Sequence, residues 1–352
     1  TLLIGPQASG KSLIAKLCHL FKEIYYKIEI TLLSGKNKRD LNQWIIHDFY
    51  NKFSRDSWHG QEFYIKYQKN DFCIEFFGKK NKKNKITLNI EFNEKLMKLY
   101  SNKKKKYKQK LSKEKTDLFP DLENATLLTH SAIAPLINYI MTKNNEGFYS
   151  DSFFNPTSRA FFCHIKNNIF TFLANDIEIA PFMSGFGVLY ETIKRTHEEE
   201  TEKHKNHMSF KKLMHLSSEI VGGEYRYEKE KDWIVKGNQK TDLFYASSGQ
   251  QEALPMLLVL LYHATRNQKS SYAFIEEPEA HLFPEAQSKV MAFFSHLYAE
   301  YQTSFFLTSH SPYILSALNN HILAAEVVEA GKMAPEKLTE LKHKTQAFKR
   351  SI

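Results

Sequence analysis

The segment GPQASGKS at residues 5–12 decides the fold class of this chain. It matches the pattern GxxxxGK[ST], and it lies between an apolar strand candidate at residues 2–4 and an apolar helix candidate. In such a unit the backbone N–H groups of the loop and the helix N-terminus face phosphate oxygens, the lysine reaches the β- and γ-phosphates, and the final hydroxyl ligates Mg²⁺. The sequence therefore predicts a phosphate-binding loop. Its candidate ligands are Gly5, Ser9, Gly10, Lys11 and Ser12.

A second motif, YAFIEEPE at residues 272–279, places carboxylates directly after a short apolar run. The run predicts a buried strand, and open α/β sheets bind ligands at the carboxyl ends of their strands. We expect Glu276 to hold Mg²⁺ through water and Glu277 to orient and polarise an attacking water. Three carboxylates within four residues repel one another unless a cation compensates them, which argues against an ordinary acidic strand end.

Two further motifs are less specific when each is taken alone. The segment SSGQQE at residues 247–252 places a Ser-Gly pair at the predicted N-terminus of a buried helix, where anions bind, although serine is also a common N-cap. The segment LTSHSP at residues 307–312 follows another buried strand candidate. Its His310 is either a hydrogen-bond donor to a γ-phosphate or a structural histidine at a strand end.

In order and character, the four motifs resemble those of the ABC-type P-loop ATPases: Walker A, signature, Walker B with a catalytic glutamate, and switch histidine. Within that class the run EEPEAHLFP at residues 276–284 is similar to the OLD/Rad50-like group of bacterial ATP-binding proteins. That group includes the ATPase subunits of antiphage systems such as OLD, Gabija, Septu and PARIS. The resemblance covers about residues 1–26 and 242–320. The segment NPTSR at residues 155–159 resembles a PAxR element of some members but departs from it at several positions.

The resemblance implies an ATP-hydrolysing enzyme that uses ATP and Mg²⁺ and forms a head-to-tail homodimer. ATP on the Walker A loop of one subunit would be covered by the signature of the other, with His281 and its neighbours near the dimer interface. The resemblance assigns catalytic roles to Glu277 and His310 and metal binding to Ser12 and Glu276. It adds to the nucleotide ligands Ser248, Gly249 and Gln250. For the Q-loop glutamine, the sequence offers three equivalent candidates, Gln43, Gln61 and Gln68.

The C-terminal third alternates strand and helix candidates, which favours an α/β fold with a parallel-rich sheet covered by helices. With the resemblance, this pattern predicts an ABC-type ATP-binding domain split between residues 1–30 and 242–330. A large α+β insertion at 31–241 separates the Walker A and signature motifs, and 331–352 is a C-terminal tail. Within the insertion the patterns predict a small β part at about 60–92, a basic arm at 93–115 and a helical part at 125–221. They also predict a helix from about Lys11 to Tyr26 and a short strand at Leu243–Ala246.

The net charge of +10 is concentrated in one segment of the 352-residue chain. Residues 79–115 carry 15 Lys and three Glu, a net charge of +12, while the rest of the chain carries −2. Lysine outnumbers arginine by 42 to 7. This usage is typical of an AT-rich genome, which raises the lysine content for reasons unrelated to binding. The cysteines are isolated, and neither a bilayer-spanning apolar run nor a signal peptide is visible. We therefore expect a reduced, cytoplasmic protein with no membrane partner.

Two functions remain open at this point. In the first, the ATPase cycle gates a separate effector, a nuclease or toxin encoded nearby, in bacterial antiphage defence. In the alternative, the chain is a DNA-repair or DNA-maintenance ATPase that clamps nucleic acid directly. A separation of 237 residues between Lys11 and Ser248 is too long for a transporter subunit, and the absence of sustained heptads argues against a long coiled coil. A nuclease or toxin gene next door favours the first function, and salt-sensitive DNA binding favours the second.

The basic segment 79–115 generates a test by charge reversal. Its lysines could follow the backbone of DNA or RNA, bind an acidic partner protein, or only solvate the insertion, and the scarcity of arginine argues against bidentate base reading. We replace Lys103, Lys104, Lys105 and Lys106 by Glu and titrate DNA at several salt concentrations. If DNA is the partner, affinity falls and the log–log salt slope shrinks by several units, since fewer counterions are released. If the DNA affinity is unchanged but a partner protein no longer co-purifies, the segment binds an acidic protein. If neither the DNA affinity nor the co-purification changes, a binding role of the segment is excluded.

Overall fold

The structure is a computed structural model that describes residues 1–34, 36–54, 60–69, 72–94, 97–98, 101, 151–165, 178–266 and 271–332. Most of the predicted basic arm, residues 125–150 of the predicted helical part and residues 333–352 of the tail lie outside these residues. The described residues fall into two compact units. The first unit lies within Thr1–Leu17 and Ser150–Ile352, and the second lies within Cys18–Tyr149.

The described part of the chain contains the following helices and strands, labelled in chain order. The helices are α1 (Lys11–Leu33), α2 (Lys38–Lys52), α3 (Pro181–His204), α4 (Met208–Val221), α5 (Ser248–Arg266), α6 (Pro284–Tyr301) and α7 (Pro312–Glu329). The strands are β1 (Leu2–Ile4), β2 (Phe63–Lys69), β3 (Phe72–Lys80), β4 (Ile86–Phe92), β5 (Asp151–Asn155), β6 (Glu224–Glu228), β7 (Lys231–Lys236), β8 (Gln239–Asp242), β9 (Ser271–Glu276) and β10 (Ser304–Ser309).

The first unit is built on a parallel sheet with the strand order β1-β10-β9-β5. Ile4 pairs with Ser309, and Thr308 pairs with Glu276 in the next strand, so the carboxyl ends of β1, β10 and β9 coincide. Since Walker A follows β1, Walker B ends β9 and the switch histidine follows β10, this register brings three motifs to one edge of the sheet. The predicted α/β fold with a parallel sheet covered by helices is confirmed.

Helix α5 forms the centre of the hydrophobic core of the first unit. Nearly all of its residues from Gly249 to Leu261 are buried, as its apolar sequence on all sides predicts. It packs against α3 and α4, and α6 packs against α4 and α7. Pro255 lies inside α5 and has no N–H for the carbonyl of Gln251, and this carbonyl accepts instead from the thiol of Cys163 at 3.8 Å.

The strand predicted at Leu243–Ala246 is wrong, because residues Leu243–Tyr245 form a 3-10 helix. The side chain of Asp242 accepts a hydrogen bond from the N–H of Phe244 at 3.0 Å, which turns the chain at the end of β8. Strands β6 and β7 form an antiparallel hairpin, and β8 adds a third strand.

Strand β5 is the main element that the patterns did not predict. It pairs in parallel with β9, and the described residues between 151 and 241 belong to the unit that carries the Walker motifs, although the sequence predicts them within the insertion. Five residues of sequence DSFFN are too short for a periodic signal, and only their pairing with a distant strand identifies them as part of the sheet.

The second unit contains most of α1, which extends to Leu33 rather than to Tyr26, together with α2 and a small sheet. Strands β2, β3 and β4 pair antiparallel in this order. Their alternation buries one face, which includes Phe76 and Ile90. Phe49 of α2 packs edge-on against Phe76, with a distance of 5.4 Å between the ring centroids.

No helix in the described part of the chain is long and apolar enough to cross a membrane. Burial raises the pKa of the Cys163 thiol to about 12, so this cysteine stays a neutral thiol at ordinary pH.

The turn between α4 and β6 leads to a prediction about stability. A Cβ added at Gly223 would lie 2.8 Å from the carbonyl oxygen of Val235 and 2.8 Å from Cγ2 of Ile234. We expect Gly223→Ala to lower the free energy of unfolding by about 1–3 kcal/mol, since a backbone atom cannot move aside. Urea denaturation measures this. Gly185→Ala in α3 is the control: nothing lies within 4 Å of the added Cβ, so it should stabilise by about 0.5–1 kcal/mol.

Candidate nucleotide-binding site

The Walker A loop joins β1 to α1 and closes around Lys11. Ala8 and Gly10 have positive φ angles of 59° and 84°, which turn the loop. The Lys11 ammonium donates to the carbonyl oxygens of Gly5 at 2.9 Å and Pro6 at 2.7 Å, and to Oγ of Ser9 at 3.2 Å. All three ammonium protons are thus used inside the loop. The phosphates of a nucleotide would compete with these three oxygens for the same protons.

Glu276 ends β9 and is buried at the carboxyl edge of the sheet. One carboxylate oxygen, Oε2, accepts from the N–H of Thr157 at 3.4 Å. The other, Oε1, lies 3.7 Å from the ammonium of Lys16 in α1, and no residue that the structure describes donates a hydrogen bond to it. A buried carboxylate oxygen with unused acceptor capacity is a suitable ligand for a hard cation or for the water around it.

Glu277 directly follows the strand in a backbone conformation that is rare for a non-glycine residue. Its φ angle is 43°, and its N–H donates to the carbonyl of Thr308 at 2.8 Å. Its carboxylate oxygen Oε1 lies 2.9 Å from Nε2 of His310, and both side chains are about one third exposed. The predicted general base and the predicted switch histidine are therefore direct partners.

His310 also contacts the Walker A loop through its other ring nitrogen. Nδ1 lies 3.0 Å from the carbonyl oxygen of Gly5 and 3.5 Å from the ammonium of Lys11. A carbonyl and an ionised carboxylate only accept hydrogen bonds, so each of these two contacts is a hydrogen bond when the ring nitrogen that faces the oxygen carries a hydrogen. The histidine thus links the Walker A loop to Glu277.

Glu279 holds the chain segment in front of His310. Its Oε1 accepts from the hydroxyl of Ser309 at 2.6 Å and from the N–H groups of His310 at 2.7 Å and Ser311 at 3.1 Å. Through this one oxygen, the third glutamate of the EEPE sequence supports the switch loop, and it is not placed like Glu277.

The signature segment lies at the N-terminus of α5. Ser247 and Gln250 cap the helix reciprocally: Gln250 Oε1 accepts from the N–H of Ser247 at 3.0 Å, and Ser247 Oγ accepts from the N–H of Gln250 at 3.4 Å. Gln250 Nε2 donates to the carbonyl of Val221 at 2.7 Å. The amide of Gln250 is therefore engaged in the fold, although the resemblance assigned it to the nucleotide. Among the described residues, 248–250 share no hydrogen bond or ion pair with 5–12.

Two residues of the NPTSR segment were not among the predicted site residues, yet the structure places them beside Walker B. Asn155 ends β5 and is fully buried, and neither of its side-chain polar atoms has a hydrogen-bond partner among the residues described. Arg159 is fully buried and donates to the backbone of Glu276 and Glu277. The weak likeness to PAxR was the only signal in the sequence for either residue.

A family model identifies the family of this chain. The chain belongs to the family whose model is described as an AAA ATPase domain, and that model matches residues 1–315. A solved structure, the SMC head bound to the C-winged helix domain of ScpA, is 12% identical and covers 90% of this chain and 83% of that chain, with a TM-score of 0.38. No curated protein matches the chain. The family is therefore that of an ATPase domain.

Proposed function

We propose that the chain binds and hydrolyses ATP at the edge formed by the Walker A loop, Walker B and the switch histidine. The observation that supports this best is the chain of contacts from the Walker A loop at Gly5 through His310 to Glu277. A phosphate-binding lysine, a carboxylate base and a hydrogen-bond donor to the terminal phosphate are the groups that phosphoryl transfer to water requires. They come from three different strand ends and meet in one place.

Each residue has a distinct task in the proposed reaction. Lys11 exchanges its three oxygens in the loop for phosphate oxygens, and the N–H groups at the start of α1 face the same phosphates. Glu277 accepts a proton from the attacking water, and His310 is released from it to donate to the γ-phosphate. Ser12 and Glu276 would hold Mg²⁺, which neutralises phosphate charge when bound. The unused oxygen Oε1 of Glu276 fits this task.

The role of the Q-loop glutamine is not assigned to Asn155 in this proposal. The three glutamines that the sequence offered, Gln43, Gln61 and Gln68, lie within the second unit. Asn155 lies within the first unit, on the strand next to Walker B, where its register partner is Ile275. Residues paired in register on parallel strands point to the same face of the sheet, so Asn155 lies on the face of Ile275 and not on that of Glu276.

The proposed working form is a head-to-tail dimer in which the second subunit supplies Ser248 and Gly249. Within one chain the signature shares no hydrogen bond or ion pair with residues 5–12, as far as the described residues show. Gly249 packs against the loop after Walker B, since an added Cβ would lie 2.7 Å from the carbonyl oxygen of His281. Tyr245 and Phe283 beside it are 79% and 85% exposed, which suits an interface between two chains.

For the wider role, we propose that the ATP-driven dimer gates a separate effector protein in bacterial antiphage defence. This rests on the similarity of EEPEAHLFP, SSGQQE and TSHSPYIL to the antiphage ATPases. The alternative, a DNA-repair or DNA-maintenance ATPase, is favoured by one observation. The end of β3 and the turn to β4 carry exposed lysines only a few residues apart, which are Lys79, Lys80, Lys82, Lys83 and Lys85. Such a cluster attracts a phosphate backbone.

Replacing the proposed base tests the hydrolytic function. Glu277→Gln keeps the shape of the side chain and removes its ability to accept a proton. We expect kcat for ATP hydrolysis to fall by about 100- to 10,000-fold while ATP stays bound, which phosphate release and nucleotide retention on a filter measure.

The matched variant is Lys11→Ala, which should lose nucleotide binding itself because it removes the charge that faces the phosphates. Hydrolysis at the wild-type rate by Glu277→Gln would show that another group is the base, with Glu276 as the next candidate.

A substitution in the signature tests the composite site. Ser248→Arg places bulk and positive charge where the second subunit must approach the γ-phosphate. One nucleotide per Walker A loop should still bind, while hydrolysis is lost. Sizing of Glu277→Gln with and without ATP should reveal an ATP-dependent dimer, and the same assay on Glu277→Gln with Ser248→Arg should show none. Normal hydrolysis by Ser248→Arg alone excludes a site shared between subunits.

A further inference from the structure

Arg159 is a fully buried arginine whose guanidinium donates to four backbone carbonyls. Nε donates to Glu252 at 2.9 Å, and Nη1 donates to Pro156 at 2.8 Å and to Glu276 at 2.9 Å. Nη2 donates to the carbonyl of Glu277 at 3.0 Å. The planar guanidinium of this one side chain thus binds the end of β9, the start of α5 and the turn that contains Arg159 itself.

Glu252 completes this arrangement with its carboxylate. Its two oxygens accept from the N–H groups of Arg159 at 3.0 Å and Ala160 at 3.2 Å, and Oε2 lies 3.3 Å from Nε of Arg159. Glu252 is also buried and lies four positions after Ser248 on α5. The same ion pair therefore contacts the signature helix and the end of Walker B.

The backbone of Glu277 is held from both sides in its left-handed conformation. Its N–H donates to Thr308 in β10, and its carbonyl accepts from Arg159. With both hydrogen-bonding groups of this residue occupied, the direction in which its side chain leaves the sheet is determined. Without Arg159, the carbonyls of Glu276 and Glu277 would lose this hydrogen-bond donor. Glu277 would then keep only one of its two backbone hydrogen bonds, the one to Thr308.

We infer that Arg159 and Glu252 are a positioning pair that holds Glu277 in its hydrolytic orientation and ties it to the signature helix of the same chain; this rests on the proposed ATP hydrolysis. Stability alone does not account for the pair. A buried ion pair contributes little more than well-packed apolar side chains of the same volume. The acceptors of Arg159 include the carbonyls of the two residues that the reaction needs, the metal carboxylate Glu276 and the base Glu277.

The test separates nucleotide binding from the chemical step. Arg159→Lys keeps the charge but replaces a fork that reaches several carbonyls by a point donor. We expect kcat to fall about 100-fold, because a small misplacement of a catalytic group costs that much, with the dissociation constant for ATP unchanged. Lys194→Arg is the matched control. It also exchanges one buried cation for another, in an ion pair with Asp232 and Glu191, and should leave kcat unchanged.

A double-mutant cycle tests whether Arg159 acts through Glu277. In the Glu277→Gln background there is no base left to position, so adding Arg159→Lys should reduce the residual rate no further. An additive loss overturns the inference, as does a wild-type kcat of Arg159→Lys. If Arg159→Lys does not fold, Glu252→Gln answers the same question: it retains the size of the side chain and removes an acceptor, and the same loss of kcat is expected.

The experiments distinguish a failure of the proposed ATP hydrolysis from a failure of the positioning role of Arg159 and Glu252. If the wild-type chain does not hydrolyse ATP, the proposed function fails and the inference falls with it. If the wild-type chain hydrolyses ATP and Glu277→Gln traps it, but Arg159→Lys turns over normally, only the positioning role is overturned.

Discussion

The parallel pairing of β9 with β10 places Thr308 opposite Glu276, and the pairing of β10 with β1 places Ser309 opposite Ile4. Because the strands end together, the residues that follow them meet although they are far apart in the chain. A register shift by one residue would turn each of these side chains to the other face of the sheet. The contacts of His310 with both the Walker A loop and Glu277 depend directly on this alignment.

Charge compensation explains why the acidic EEPE sequence is tolerated at the carboxyl edge of the parallel sheet. Each glutamate of the EEPE sequence has its own partner: Lys16 beside Glu276, His310 beside Glu277, and three donors of the switch loop around Glu279. Arg159 lies behind them, fully buried. Burial lowers the pKa of its guanidinium and the surrounding carboxylates, Glu252 first, oppose that shift. The acidic loop is thus supported by several separate cations and donors, each with a different position.

Helix α5 joins the core to the site. Its apolar body is buried, which fixes the direction of its axis, and its N-terminus carries the signature. Reciprocal capping by Ser247 and Gln250 and the ion pair of Glu252 with Arg159 hold this N-terminus in place. A segment fixed so firmly can present Ser248 to another molecule with little loss of conformational entropy on binding.

The sequence alone determined the α/β class and the buried helix α5, and it predicted the phosphate-binding loop and the Walker B carboxylates, because each leaves a local pattern of spacing or periodicity. It could not determine β5, whose five residues become a strand only by pairing with β9, nor the 3-10 turn that replaces the strand expected at Leu243–Ala246. It predicted the water-orienting role for Glu277, but it gave no position or role to Glu279, which lies beside the same strand end. Only the tertiary structure shows that His310 contacts Glu277 and that the switch-loop backbone contacts Glu279. It also shows that Arg159 is buried beneath them. These contacts depend on strand register and on burial, which involve residues far apart in the chain. A short window of sequence therefore carries no signal for them.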